Sequence, residues 1–230
     1  AIRDGDIVLG TGGAGTTATL SATPGDIDIT AKLTAGGDIA LTAGDDIRLA
    51  GFDAQADTGL IRSTSGDIVI DAGGSFHGIG QIDFMLPTLQ RGIAALGAGG
   101  AIAVQSDGDV RVDSLTSGGA LSFDITGSLT GAAPFVGPPT GTAVPGGALF
   151  ATGAGGDITV RTGLGDVAGL VNDTLQLDRA VADRNITLSA DQLAVGTLTT
   201  NSGTITLNDT SAASITTDNY YVGQLNAAGD

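Results

Sequence analysis

The sequence lacks cysteine, tryptophan and glutamate, and each absence narrows the classes of protein open to it. Aromatic residues make up only 3% of the chain, which disfavours a compact enzyme with an aromatic-rich core. All 25 acidic residues are aspartate, and Lys32 is the single lysine. Because glutamate and lysine usually fill helix surfaces, their near absence disfavours a helical protein.

Charge and hydropathy exclude further classes. The net charge is -16, and no cluster of basic residues offers a surface for phosphates, so neither nucleic acid nor an anionic membrane is an expected partner. No run of about 20 apolar residues occurs, so no membrane-inserted helix is expected. Hydrophobic residues still make up 41% of the chain and recur at regular intervals, which predicts a folded protein.

A repeated unit of the form Gly-Asp-Ile-x-Leu is the strongest pattern in the sequence. Its alternating apolar positions predict short strands with every second residue inward. Glycine, with 39 of the 230 residues, and aspartate supply the corners between strands. The clearest copies are Gly5-Asp6-Ile7-Val8-Leu9, Gly25-Asp26-Ile27-Asp28-Ile29, Gly37-Asp38-Ile39-Ala40-Leu41, Gly66-Asp67-Ile68-Val69-Ile70, Gly108-Asp109-Val110-Arg111-Val112 and Gly156-Asp157-Ile158-Thr159-Val160.

The spacing of these units predicts the fold class. The units at positions 5, 25 and 66, together with a looser copy at position 45, Asp45-Asp46-Ile47-Arg48-Leu49, begin 20, 20 and 21 residues apart. One strand type that returns about every 20 residues predicts an all-β parallel β-helix, a solenoid with two or three strands per coil, rather than a propeller or sandwich. We expect residues 1–230 to form a single such unit, in which Ile7, Ile27, Ile47 and Ile68 stack in one buried row.

Two segments interrupt the repeat and are predicted to be loops extruded from corners, near 79–99 and 131–146. The second contains four of the six prolines. The chain starts inside a strand-like unit at Ala1-Ile2 and stops at Gly229-Asp230, the first two residues of another unit. We therefore expect a segment of a longer β-helix, with adjacent repeats or further copies stacked end to end.

The repeats resemble the rod region of filamentous haemagglutinin-like exoproteins, the large adhesins of two-partner secretion systems. The units that carry the resemblance include Gly36-Gly37-Asp38-Ile39-Ala40-Leu41-Thr42-Ala43-Gly44 and Arg184-Asn185-Ile186-Thr187-Leu188-Ser189-Ala190. The resemblance covers most of the chain outside the two insertions. Asn-Pro-Asn motifs of the family's secretion domain are absent, so this chain is expected to be rod.

The resemblance implies a right-handed β-helix that is exported to the surface of a Gram-negative bacterium. It implies an adhesive, non-catalytic rod in an extracellular filament, with a host or neighbouring-cell glycan or protein as the receptor. The lack of cysteine is consistent with passage of an unfolded chain through an outer-membrane pore.

Two alternatives belong to other functional classes. A polysaccharide lyase or hydrolase on a β-helix would need clustered carboxylates, often with a basic residue to stabilise charge. The aspartates here follow the repeat instead, which favours a structural role. The other alternative is a self-assembling surface-layer or matrix protein.

The individual candidate residues favour structural roles. We expect Asp26, Asp46 and Asp67 to line one corner and to cap turns by accepting a backbone N–H. His77 has no nucleophile or orienting acid at a recognisable spacing, so no catalytic residue is predicted. Arg48 and Arg111 occupy outward strand positions, where pairing with aspartate is expected.

No cofactor is predicted. Calcium is the one metal that the composition gives a reason to consider. The aspartate-rich chain contains only fragments of the calcium-binding Gly-Gly-x-Gly-x-Asp nonapeptide, such as Gly36-Gly37-Asp38. A dedicated calcium ladder is therefore not expected, although surface aspartates can bind the ion adventitiously.

Overall fold

The computed structural model describes residues 5–50, 60–79, 95–112, 114–131, 148–151, 153–154, 156–162, 174–210 and 220–227. In these ranges the backbone forms β-strands joined by turns and bends, without a helix. This confirms the prediction of an all-β chain. The same ranges accordingly contain no helix of the length and apolar character that a membrane span requires.

The strands are mostly three to five residues long, with five longer ones. In chain order they are β1 (Ile7–Ala14), β2 (Ala18–Ala22), β3 (Ile27–Ala35), β4 (Ile39–Ala43), β5 (Ile47–Ala50), β6 (Leu60–Ser63), β7 (Ile68–Ala72), β8 (Phe76–Ile79), β9 (Ala95–Ala98), β10 (Ile102–Ser106), β11 (Val110–Val112), β12 (Ser114–Ser117), β13 (Leu121–Ile125), β14 (Leu129–Gly131), β15 (Ala148–Ala151), β16 (Ile158–Arg161), β17 (Thr174–Ala182), β18 (Ile186–Ala190), β19 (Gln192–Thr200), β20 (Ile205–Asp209) and β21 (Tyr220–Ala227).

The first sheet is curled and consists of two rows of parallel strands, which we call row A and row B. Each long strand contributes its first half to row A and its second half to row B. Between β3 and β17 the rows are built from separate strands, and they rejoin at β17. Row A continues through β5, β8, β11 and β14, and row B through β6, β9, β12 and β15.

The second sheet forms row C, in the order β2-β4-β7-β10-β13-β16-β18-β20. Its strands are also parallel, and each pairs with strands from the previous and the next pass of the chain. We call one pass through rows A, B and C a layer. Successive layers therefore stack through backbone hydrogen bonds in all three rows.

The core lies between the rows and is filled by the alternate aliphatic residues of each strand. In row C the inward residues of successive layers pair directly, as Ile39 does with Ile68 and Ile68 with Ile102. All three side chains are fully buried. The two largest fully buried side chains are Phe76 in row A and Phe123 in row C. Stacked aliphatic rows thus fill a narrow interior with little aromatic content.

The stacking of the predicted isoleucine row is confirmed for three of its four members, of which Ile27 and Ile47 are fully buried and Ile7 is partly buried. Ile7 pairs with Ile27 and Ile27 with Ile47, and Ile47 is fully buried. The placement of Ile68 is wrong, because Ile47 pairs with Phe76 instead. The third layer is longer than the first two and carries separate row A and row B strands, so the next unit along the chain, at Ile68, belongs to row C.

Glycine is required by backbone conformation at two corners. Gly5 and Gly25 have φ values of 101° and 144°, which residues with a Cβ rarely adopt. The two glycines lie in successive layers, and a Cβ on Gly25 would also lie 2.7 Å from the carbonyl carbon of Gly5. The glycine of the repeat unit therefore serves both the turn and the close approach of the layers.

Most of the two predicted insertions lies outside the described residues, in 80–94 and 132–147. The strands on either side are placed: β9 covers 95–98 within the first predicted insertion and pairs with β6 and β12. β15 begins directly after the second insertion and pairs with β12 and β17.

Candidate functional site

The corners before the row A strands carry short polar side chains that bond one layer to the next. The Oδ1 atom of Asp26 accepts a hydrogen bond from the backbone N–H of Asp46 at 3.0 Å. That of Asp46 accepts one from the N–H of Ser75 at 2.8 Å. We call this series the row A ladder; its members in layer order are Asp6, Asp26, Asp46, Ser75, Asp109 and Ser128.

A second series precedes the row C strands. Asp38 accepts the N–H of Asp67 at 3.0 Å, and Asp67 accepts the N–H of Ala101 at 2.7 Å. Farther along, Asp157 accepts the N–H of Asn185, and Asn185 accepts the N–H of Thr204. We call this the row C ladder.

The ladders confirm part of the prediction made for the aspartates and correct the rest. Asp26, Asp46 and Asp67 each accept a backbone N–H, as expected. The donor belongs to the following layer, however, rather than to the residue's own turn. Placing Asp67 in one corner with Asp26 and Asp46 is wrong, because Asp67 lies in the row C ladder.

The ladders explain why glycine comes before the ladder residue in the repeat unit. A Cβ on Gly127 would lie 2.5 Å from Oδ1 of Asp109, the atom that accepts the N–H of the next residue, Ser128. Gly66, Gly74 and Gly203 face the ladder oxygen of the preceding layer in the same way. At these four positions the ladder oxygen of one layer occupies the place of a Cβ in the next layer, whereas Asp45 and Arg184 stand at the same position after Asp26 and Asp157.

Arg48 joins three aspartates at the row A corner. Its Nη1 lies 2.6 Å from Oδ2 of Asp26 and 3.3 Å from Oδ1 of Asp28, and its Nη2 lies 2.7 Å from Oδ2 of Asp46. Asp26 and Asp28 belong to the second layer, whereas Asp46 and Arg48 belong to the third. The guanidinium thus offsets the repulsion between carboxylates that the ladder brings close together.

Burial decides how strong this cluster is. The side chain of Asp26 is only 8% exposed, whereas those of Arg48 and Asp46 are about a quarter exposed. Partial burial acts to lower the pKa of Arg48, but its hydrogen bonds to Asp26 and Asp46 outweigh that effect and raise the pKa above its ordinary value. The guanidinium is therefore a permanent cation in this corner.

The cluster offers little to acid–base chemistry. A general acid or base must have an oxygen available to the reacting group. Both oxygens of Asp26 are bonded, Oδ1 to the N–H of Asp46 and Oδ2 to Arg48. Asp46 is bonded in the same manner, to Ser75 and to Arg48.

The same corner contains the group of described residues that comes closest to a metal site. Asp26, Asp45 and Asp46 can place one carboxylate oxygen each within 4.8 Å of one another. Calcium needs six to eight oxygen ligands, and Arg48 already supplies positive charge to two of these carboxylates. The arrangement is that of a carboxylate cluster whose charge is partly offset by one arginine.

The other residues that the sequence singled out are His77 and Arg111. The backbone of His77 pairs with Arg48 on one side and Arg111 on the other, so the three residues share one register position of row A. The side chain of His77 lies outside the described part of the structure, and Arg111 is exposed. The predicted pairing with aspartate is confirmed for Arg48.

Two further arginine pairs were not predicted. Arg161 contacts Asp124 at 2.6 Å across row C, and both side chains are well exposed. Arg184 hydrogen-bonds Asp157 at the row C ladder, and this contact lowers the pKa of Asp157. The signal for the first pair is present in the sequence, because Asp124 and Arg161 both occupy the fourth position of their strands.

Comparison with known proteins finds no relative of this chain. No protein-family model matches it, and neither curated proteins nor solved structures yield a match.

Proposed function

We propose that this chain forms a right-handed parallel β-helix that acts as a non-catalytic structural and adhesive rod on a bacterial surface. The parallel pairing of rows A, B and C from layer to layer supports the β-helix. Right-handedness is supported by general chain geometry, because crossovers between parallel strands of one sheet are right-handed in nearly all proteins.

The observation that supports a non-catalytic role is that the corner aspartates bind the backbone of the next layer. In β-helical enzymes that act on polysaccharides, carboxylates must stay available for acid–base work. Here Asp26, Asp46, Asp67 and Asp109 each commit an oxygen to the backbone of the next layer. Chemistry at these residues would compete with the bonds that hold the layers together.

The adhesive and extracellular parts of the proposal are supported by the repeat pattern and its resemblance to filamentous haemagglutinin-like rods. The cysteine-free composition is compatible with secretion of an unfolded chain. A rod of the nine described row A layers would be roughly 40 Å long at the usual strand spacing. Its outer faces would meet a glycan or protein receptor of another cell.

A panel of bacterial and host polysaccharides tests this function. Fluorescently labelled chain is incubated with each glycan, and both retention of the chain and release of reducing ends or unsaturated sugars are measured. The proposal expects no product from any member, and retention on a member would identify a glycan as the receptor. Product release that Asp26→Asn or Asp67→Asn abolishes, in variants that keep their far-ultraviolet circular dichroism, would instead establish a carbohydrate-active enzyme.

A further inference from the structure

The two end strands of the first sheet leave one edge unpaired among the described residues. β1 pairs only with β3, and β21 pairs only with β19. Proteins usually protect such edges with charged residues or proline. Neither strand contains either kind of residue, since β1 reads IVLGTGGA and β21 reads YYVGQLNA.

The two strands also have the same layout. Both are eight residues long and carry glycine at the fourth position, Gly10 in β1 and Gly223 in β21. In β1 the register with β3 shifts at that glycine, and in β21 the glycine is the one position without a pair in an otherwise continuous register with β19; in both strands it separates the row A half from the row B half. The strands can therefore lie side by side, parallel and with their corners aligned, as β19 and β21 do within the chain.

Exposed apolar side chains match across this alignment. Four large hydrophobic side chains are exposed among the described residues, and three of them are Val8, Tyr221 and Leu225. With β1 of one copy beside β21 of another, Val8 would lie opposite Tyr221. Leu225, 52% exposed, would lie opposite Gly12, where the side chains of Leu9 and Leu33 fill the place of a side chain and offer it an apolar contact.

We propose that a second copy of this chain docks head to tail, with its β1 edge against the β21 edge of the first. This inference rests on the proposed β-helical rod and extends it to assembly. Because the contact joins two different edges, each added copy presents a new β21 edge, and the assembly is open-ended. The pairing of Val8 with Tyr221 is of the aromatic and β-branched kind that stabilises neighbouring strands.

The second sheet supplies the control. Its last described strand, β20, belongs to the layer before β21, so it does not reach the β2 strand of the docked copy. Thr206 on β20 is exposed and points outward, as Val8 does on β1. Thr206→Lys therefore makes the same change in charge as a lysine at the docking edges without touching them.

The experiment uses sedimentation velocity of the 230-residue chain over a concentration series at low and high salt. The wild type should form a growing series of oligomers, more readily at high salt, which screens the charge of -16. Val8→Lys and Leu225→Lys should each lower the association constant at least about fivefold. Thr206→Lys should behave as the wild type, and circular dichroism confirms that all three variants are folded.

Mixing the variants tests the head-to-tail geometry. Val8→Lys keeps an intact β21 edge and Leu225→Lys keeps an intact β1 edge, so an equal mixture should form heterodimers and nothing larger. Association of Leu225→Lys at wild-type strength would overturn the proposal, as would equal weakening by Thr206→Lys or a wild type that stays monomeric. None of these results would bear on the glycan panel, which tests the proposed function separately.

Discussion

Removal of Arg48 gives the sharpest energetic test of the corner cluster. Arg48→Ala leaves Asp26 with its buried oxygen unpaired and leaves Asp28 and Asp46 without their shared cation. An ion pair with charges about 4 Å apart interacts by about 4 kcal/mol at an effective dielectric constant of 20. Solvent at Arg48 and Asp46 screens this interaction, and the variant no longer carries the desolvation cost of burying the guanidinium, so the net loss is smaller. We therefore expect the free energy of unfolding to fall by about 2–4 kcal/mol.

The matched control is Arg161→Ala. Arg161 also makes a 2.6 Å contact with an aspartate of the neighbouring layer, but both side chains are well exposed. Exposed pairs contribute little, so the loss should stay below about 1 kcal/mol. The assay is urea unfolding followed by circular dichroism, because urea leaves the ion pairs unscreened.

A double variant separates the charge of Asp26 from the hydrogen bond that its side chain accepts. Asp26→Asn retains the Oδ1 acceptor for the N–H of Asp46 but carries no charge. Alone it should destabilise the chain, since it loses the charged bond to Arg48. In the Arg48→Ala background it should stabilise the chain, since it removes the unpaired buried carboxylate. Equal losses from Arg48→Ala and Arg161→Ala, or no change of sign for Asp26→Asn, would refute the reasoning.

Three further predictions concern the core, the corners and pH. Ile47→Asp places an unpaired carboxylate in a fully buried row and should prevent cooperative folding, seen as loss of the urea transition. Gly127→Ala should lower the free energy of unfolding by about 1–3 kcal/mol, because the added Cβ would overlap Asp109. Gly15→Ala should leave the free energy of unfolding unchanged, because a Cβ at Gly15 would lie in open space. For pH, the hydrogen bond from Arg184 lowers the folded-state pKa of Asp157, so its contribution to stability is present above the unfolded pKa of about 3.9 and is lost as pH falls below it. With Asp157→Asn, the free energy of unfolding should therefore fall less steeply as the pH is lowered from neutral to about pH 3, as measured by urea midpoints. An unchanged slope would contradict the assignment.

The strands of this fold are predictable because their signal is local. Gly-Asp-Ile units at Ile7, Ile27 and Ile39 mark the starts of β1, β3 and β4, and alternate residues after them are buried or partly buried. The same locality limits the register. The units at Ile68 and Ile27 share the pattern Gly-Asp-Ile-x-Ile, yet the first begins a row C strand and the second a row A strand.

The corner cluster was predictable only in kind. The spacing of Asp26 and Asp46 by one coil indicated neighbouring carboxylates, and the outward position of Arg48 indicated a pairing with aspartate. That the backbone N–H partner lies in the next layer depends on the stacking of two corners, which no single unit contains. The receptor has no counterpart in the pattern, because outward residues vary while the inward residues and corners repeat.

Distances between spin labels along row C test the stacked-layer rod most directly. Thr19, Ser122 and Thr206 lie on β2, β13 and β20, on the outward side of row C, and the absence of native cysteine allows each to be labelled cleanly. Thr19 and Ser122 are separated by four strand steps and Thr19 and Thr206 by seven. At the usual spacing, pulsed electron resonance should give about 19 Å for the first pair and about 34 Å for the second. A second distance equal to or shorter than the first would mean that the strands close on themselves, and would contradict the rod.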